Sequence, residues 1–305
     1  METRVLPFSD ESILEAARLV LAGKPVAVPT ETVYGLAADA TNAKAVALIY
    51  EAKGRPSFNP LIVHVPDLPA AIEIGEFGDD ALALARKHWP GPLTLVVPLR
   101  ANSQIASLVT AGLPTVALRV PDHPAMQALL QTSARPLAGP SANSSGSISP
   151  TRAAHVLKSL GGVIPLIIDA GSTGRGIEST IVAATGGSLR LLRLGPIEID
   201  AEPQSASVIE APGQLASHYA PSKPLRLGAK TGDEDEFLIG FGAVAGDANL
   251  SASGDLVEAA ARLFDLIHEA EDSPKARIAV AAVPATGLGS AINDRLSRAA
   301  ADRPE

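Results

Sequence analysis

The run Val26-Ala27-Val28-Pro29-Thr30-Glu31-Thr32-Val33-Tyr34-Gly35-Leu36 opens apolar and turns abruptly polar. The first four residues, rich in valine and stopped by proline, predict a short strand. Two threonine hydroxyls and a glutamate carboxylate follow at its end. There they either grip a small polar ligand or cap a turn.

Outward from this stretch the same grammar repeats. Apolar runs at residues 61–65, 93–99, 115–120, 166–169, 180–183 and 189–194 predict further strands. Helical periodicity covers residues 11–22, 43–53, 79–88, 124–131 and 152–160, with Gly23 ending the first helix and Thr41 capping the second. Helix-connected strands alternate with directly successive ones, which implies a mixed α/β sheet and not a regular doubly wound one. After Gly195-Pro196 the texture changes to Pro, Ser, Ala and Gly with weak periodicity. A second α/β unit follows, with strands at 237–241 and 278–283 and helices at 254–269 and 290–301. The expected division is residues 1–196, a linker at 197–223, and a small α/β domain at 224–305.

Composition narrows the chemistry. There is no cysteine, which removes disulfides, thiolate metal sites and cysteine nucleophiles. Aromatics are 3% of the chain, too few for platforms that stack single-stranded bases. The net charge of −8 is uneven: 16 basic residues face 17 acidic ones through Asp200, leaving −7 for the remainder. The first two-thirds can therefore hold local basic pockets, whereas the acidic last third argues against a nucleic-acid grip. No signal peptide and no membrane-length apolar run is evident, and a cytoplasmic protein is expected.

Several standard devices are absent. The sequence has no Walker-type phosphate loop, no G-x-S-x-G elbow and no H-E-x-x-H or comparable histidine spacing, so no dedicated metal site is expected. Gly240-x-Gly242-x-x-Ala245 follows a strand but does not run into a helix start, so a plain turn is favoured over a dinucleotide fingerprint. Polar segments stand out instead. Lys53-Gly54-Arg55-Pro56-Ser57-Phe58-Asn59-Pro60 combines a point charge and a planar fork on a loop stiffened by proline. Such a loop suits a polyphosphate, or is an ordinary basic loop. Gly139-Pro140-Ser141-Ala142-Asn143-Ser144-Ser145-Gly146 cradles phosphate or is a solvated turn. Glu178-Ser179-Thr180 begins a strand, and Arg193 closes the next one. Arg119 sits inside an apolar strand, where a cation is either paired to a carboxylate or faces a ligand.

Seven words in order, PTETVYGLAADA, KGRPSFNPLIVHV, WPGPLTLVV, VALRVPDH, GPSANSSGSISPT, ESTIV and LRLGPI, resemble the YrdC-like threonylcarbamoyl-AMP synthases. HYAPSKPL at 218–225 is similar to the linker of their two-domain bacterial and archaeal form, and PATGLGSAINDRLSRAA at 284–300 to its C-terminal domain. The resemblance implies a twisted, mostly open sheet whose concave face holds ATP and threonine, followed by a smaller Rossmann-like domain. It implies synthesis of threonylcarbamoyl-AMP from L-threonine, bicarbonate and ATP, with magnesium accompanying ATP and the product passing transiently to a tRNA-modifying transferase complex. It places Thr32, His64, Arg119 and Ser179 at threonine and Arg55, Asn59, Ser141, Asn143, Ser149 and Arg193 at ATP. Lys53 and Arg55 would serve catalysis, and His218 and Tyr219 would lie on a linker that folds over the nucleotide. The rival readings are an RNA-binding module of the same fold without synthase activity and a carbamoyltransferase using carbamoyl phosphate. Direct tRNA contact is left open.

Overall fold

A computed structural model describes residues 2–203, 210–213 and 218–301. Parts of the expected linker (204–209 and 214–217) and the last four residues of the expected C-terminal domain lie outside the described residues. In chain order the elements are β1 (Arg4–Pro7), α1 (Asp10–Leu21), β2 (Val26–Pro29), β3 (Tyr34–Asp39), α2 (Ala43–Lys53), β4 (Ile62–His64), α3 (Leu68–Ile74), α4 (Asp79–His88), β5 (Leu93–Pro98), α5 (Ser107–Thr110), β6 (Thr115–Arg119), α6 (Pro124–Ser133), β7 (Leu137–Ala138), α7 (Ala153–Leu160), β8 (Leu166–Asp169), β9 (Thr180–Ala183), β10 (Arg190–Arg193) and β11 (Glu202–Pro203). They are followed by β12 (Leu225–Ala229), β13 (Glu236–Gly240), β14 (Ala248–Asn249), α8 (Leu256–Asp272), β15 (Arg277–Ala281) and α9 (Leu288–Ala299).

The first eleven strands form one mixed sheet in the order β1-β8-β2-β3-β7-β4-β6-β5-β9-β10-β11. Its antiparallel pairs are β2/β3, β3/β7, β4/β7, β5/β6 and β9/β10. The rest are parallel, so this is the mixed sheet that the alternation of helix-linked and successive strands predicts. Period-two alternation sorts its residues. In β4 and β6, Val63 and Leu118 join the large core packed by α2, α4 and α7, while Ile62 and Ala117 belong to a small apolar cluster with Val96, Ile181 and Leu192. His64 and Arg119 are register partners two residues further along that second face. Along β4 and β6 the polar side chains therefore stand on one side and the largest core on the other.

The remaining four strands form a separate, all-parallel sheet in the order β12-β15-β13-β14, covered by α8 and α9. The glycine-containing turn after β13 leads into β14 and not into a helix, so it is a plain turn, as its sequence implies.

Some local expectations fail. The cap of α2 is Asn42, whose side chain accepts from the backbone of Lys44 and Ala45, while the Thr41 hydroxyl is taken by Asp39. The polar run after β2 is a two-threonine turn that leads at once into β3, a strand whose small residues carry no β-branched signature.

Candidate active site

Five connecting segments and three strands converge on one cavity. Its walls carry Thr32 and Val33 from the β2–β3 turn, Arg55 beyond α2, Ile62 and His64 of β4, Arg119 of β6 and Ser141. Glu178 and Arg193 complete the sheet side, and Pro212, Gly213, His218 and Tyr219 close the top. Seven of the twelve residues chosen from the sequence thus face the same space: Thr32, Arg55, His64, Arg119, Ser141, Arg193 and His218.

The other five stand directly behind that wall, and four of them, all but Asn143, bond to a member of it. Lys53 Nζ donates to the carbonyl oxygens of Ser141, at 2.7 Å, and of Asn143. Asn143 in turn donates to the Ser147 carbonyl at 2.8 Å, which folds the loop on itself. The Asn59 carbonyl accepts from Arg55 Nε at 3.1 Å. Ser179 receives Arg193 twice, Nε on its carbonyl and Nη2 on its hydroxyl, each at 3.0 Å. Ser149 Oγ donates to Glu178 Oε1 at 2.5 Å. In this state Lys53 is a buried staple of the Ser141–Asn143 loop, and its amine does not reach the cavity.

Arg119 answers the choice that its sequence position poses. Nη2 lies 2.7 Å from Glu31 Oε1, Nη1 donates to the Thr32 hydroxyl at 3.0 Å, and Nε donates to the Gly91 carbonyl. It is ion-paired here, yet it still lines the cavity.

The electrostatics are those of a small, cationic chamber. Burial lowers Arg55 to about 10, still charged at neutral pH, and lowers Arg193 as well. Burial, reinforced by Arg119, lowers His64 to about 3, and burial together with the cations Lys53, Arg55 and Arg193 does the same to His218. Both imidazoles are therefore neutral. Glu178 is the one pocket-lining carboxylate among the described residues; burial opposes its charge, but Arg295 and Arg193 overcome that and hold its pKa below the usual range. His64 Nδ1, Asn59 Oδ1, His218 Nδ1 and the Tyr219 hydroxyl are buried without a hydrogen-bond partner among the described residues. Orphaned polar atoms of this kind, gathered around one cavity, mark places for a polar guest.

Two participants escaped the sequence reading. Glu178 lay in a quoted word without an assigned part. Arg295, from the small C-terminal sheet domain, is fully buried and donates Nε to Glu178 Oε2 at 2.9 Å. Its signal was present: it falls on the apolar stripe of α9 with Ala291, Ile292, Leu296 and Ala299.

The fold and site define a two-domain α/β protein with a water-poor, cation-lined polar pocket on an open mixed sheet. Residues 18–195 match the family described as "Telomere recombination", and residues 177–301 match "Threonylcarbamoyl-AMP synthase, C-terminal domain". The chain is 38% identical to the threonylcarbamoyl-AMP synthase of Bacillus subtilis over 99% of its own length and 96% of the relative. The Pyrococcus abyssi synthase is also 38% identical, over 94% of each chain. The crystal structure of P. abyssi Sua5 complexed with L-threonine superposes with a TM-score of 0.89 at 35% identity, covering 98% of both chains. The chain belongs to the two-domain threonylcarbamoyl-AMP synthase family.

Proposed function

We propose that this protein makes L-threonylcarbamoyl-AMP from L-threonine, bicarbonate and ATP, releasing pyrophosphate, for modification of a tRNA adenosine. The observation that carries the reading is the convergence of Arg55, Arg119 and Arg193, from three separate segments, on one cavity that also holds Thr32 and Ser141. Three cations around a small polar chamber suit a triphosphate and an amino-acid carboxylate.

The chemistry asks for positioning and charge stabilisation more than for covalent help. Threonine's amine adds to the carbon of carbon dioxide and loses a proton, or adds to that of bicarbonate with loss of water, giving a carbamate. A carbamate oxygen then attacks the α-phosphorus and the bond to the β-phosphate oxygen breaks, so pyrophosphate leaves. Charge builds on the phosphoryl oxygens, where fixed guanidinium groups in a water-poor site are most effective. Thr32, His64, Arg119 and Ser179 hold threonine. Arg55, Asn59, Ser141, Asn143, Ser149 and Arg193 form the nucleotide side, with some of them acting through the residues they brace. Magnesium travels with the triphosphate as part of the substrate.

With Pro212, Gly213, His218 and Tyr219 seated, the cavity is only about 40 Å³. That is room for a few water molecules at most. Those linker residues must lift for ATP to bind, which makes them a lid. No helix among the described residues is long and apolar enough to cross a membrane, in keeping with work in the cytoplasm.

The test is pyrophosphate release with ATP, bicarbonate and individual amino acids. Release should need threonine and bicarbonate together, with serine weaker by about 1–3 kcal/mol for the missing methyl. Equal turnover with leucine would overturn the assignment.

A further inference from the structure

Two helices of the small C-terminal domain reach the Ser149–Glu178 pair at the pocket wall. Arg295 of α9 donates Nε to Glu178 Oε2 at 2.9 Å. His268 of α8 meets the carbonyl of Ser149 at 3.2 Å, and Ser149 is the residue whose hydroxyl holds the other Glu178 oxygen. Between them, Gly176 packs so tightly on α8 that a Cβ would lie 2.3 Å from the Ala260 carbonyl oxygen. The Ser149–Glu178 pair is thus clamped from outside its own domain.

The clamp has an electrostatic purpose. Glu178 lines a chamber whose other charged walls are Arg55, Arg119 and Arg193. An unneutralised carboxylate there would repel a polyphosphate and compete for Arg193, which braces Ser179. Arg295 meets that charge from the side away from the chamber. Its second donor, Nη1, is fixed by Asp294 at 2.8 Å, and its guanidinium carbon lies 5.4 Å from the centroid of the Tyr219 ring on the lid.

The geometry points to Arg295 as a positioning residue for ATP: the C-terminal domain supplies, through this side chain, the counter-charge that keeps Glu178 in the pocket wall without expelling the nucleotide. This rests on the reading of the chamber as the ATP site and adds to it a task for the second domain. Arg295 itself touches no substrate.

The experiment compares full-length wild type, Arg295→Met, Glu178→Gln and the double variant by pyrophosphate release and thermal melting. The wild type comes first: without ATP-dependent release, the reading of the chamber fails and this inference falls with it. With wild-type release established, Arg295→Met should raise KM for ATP roughly tenfold or more, because it leaves a buried carboxylate unpaired. Adding Glu178→Gln should bring KM back to that of Glu178→Gln alone. A lower melting temperature with unchanged KM, or a double variant as impaired as Arg295→Met, would overturn the proposal. If Arg295→Met does not fold, Glu178→Gln is compared with the double variant: equal KM supports the inference, and a further roughly tenfold loss on removing Arg295 refutes it.

Discussion

Arg119 Nη2 and Glu31 Oε1 lie 2.7 Å apart at the rim of the chamber, and Glu31 Oε2 also accepts the backbone N–H of Asp122 at 3.1 Å. A threonine carboxylate that binds Arg119 must displace or share this internal one. Arg119→Ala should therefore weaken threonine by about 1.5–3 kcal/mol, the worth of a charged hydrogen bond. Glu31→Gln should tighten it, since the competitor loses its charge. Titration calorimetry reads both. Unchanged affinity in Arg119→Ala removes Arg119 from the threonine site, and weakening in Glu31→Gln would make Glu31 the residue that orients it.

Lys53 and Arg55 read alike in the sequence, as two loop cations facing a polyphosphate, but they should fail differently. Lys53 is buried with its amine on the Ser141 and Asn143 carbonyls, so Lys53→Met strands buried acceptors and should cost about 2–4 kcal/mol of stability together with activity. Arg55 lines the cavity and donates to the Asn59 and Pro60 carbonyls of its own loop. Arg55→Ala should raise KM for ATP by roughly tenfold or more, with the smaller loss of melting temperature. Melting and kinetics on the same samples check this; the reverse pattern would exchange the two roles.

The contrast shows what the sequence makes legible. Apolar runs located β2, β5, β6, β8 and β9 because valine, isoleucine and leucine have few other uses in runs of four to six. The strands that escaped lack that composition. Tyr34–Asp39 is mostly small residues, Leu137–Ala138 has two positions, and Leu225–Ala229 carries an arginine and a glycine, the arginine bonded to Glu236 of β13, beyond the intervening β15. Motif order was enough to gather the pocket residues, since each word brings its loop to the same sheet face. It could not separate wall from brace. Whether Lys53 meets ligand or carbonyl depends on where a loop ninety residues away comes to rest, and Arg295 arrives from a different sheet altogether.

Acid should destabilise the protein well before its carboxylates protonate. His155 of α7 stacks on His268 of α8 with ring centroids 3.8 Å apart, across the contact between the two sheets' layers. Burial holds both near 4, and it holds His64 and His218 near 3. Asp265, Arg152, Lys158 and Asp272 surround the stacked pair. In the unfolded chain each imidazole titrates near its ordinary value of about 6.5. Below that value the unfolded state binds more protons than the folded one, so stability is complete above about pH 6.5 and falls as pH drops towards the folded values. Each histidine should lose on the order of 1–2 kcal/mol by pH 5. Melting temperature should therefore decline from pH 7 to pH 5, and His155→Phe with His268→Phe should flatten the decline. An unchanged slope in the double variant would assign the acid sensitivity elsewhere.

The lid gives the sharpest kinetic expectation. Tyr219 has φ of 65°, a left-handed conformation costly for a non-glycine residue, and it is buried with its hydroxyl unpartnered among the described residues. Its ring stands edge-on to His218, with centroids 4.0 Å apart. Beside it Gly213, at φ 86°, leaves no room for a side chain: a Cβ would lie 2.9 Å from Arg193 Cδ and 3.0 Å from the Tyr219 hydroxyl. The seated segment is thus strained and tightly fitted, and on the function proposed above ATP binds only once it lifts. In rapid mixing, the observed rate of ATP binding to the wild type should level off at high ATP, at the rate of lid opening. Gly213→Ala should unseat the lid through steric conflict and strain, so that the rate keeps rising with ATP. The same variant, like His218→Ala with Tyr219→Ala, should release more pyrophosphate per adenylate recovered, because a chamber open to water loses its labile product to hydrolysis. A wild-type rate linear in ATP, together with an unchanged product ratio in Gly213→Ala, would reduce these residues to a strap that fastens the linker to the sheet.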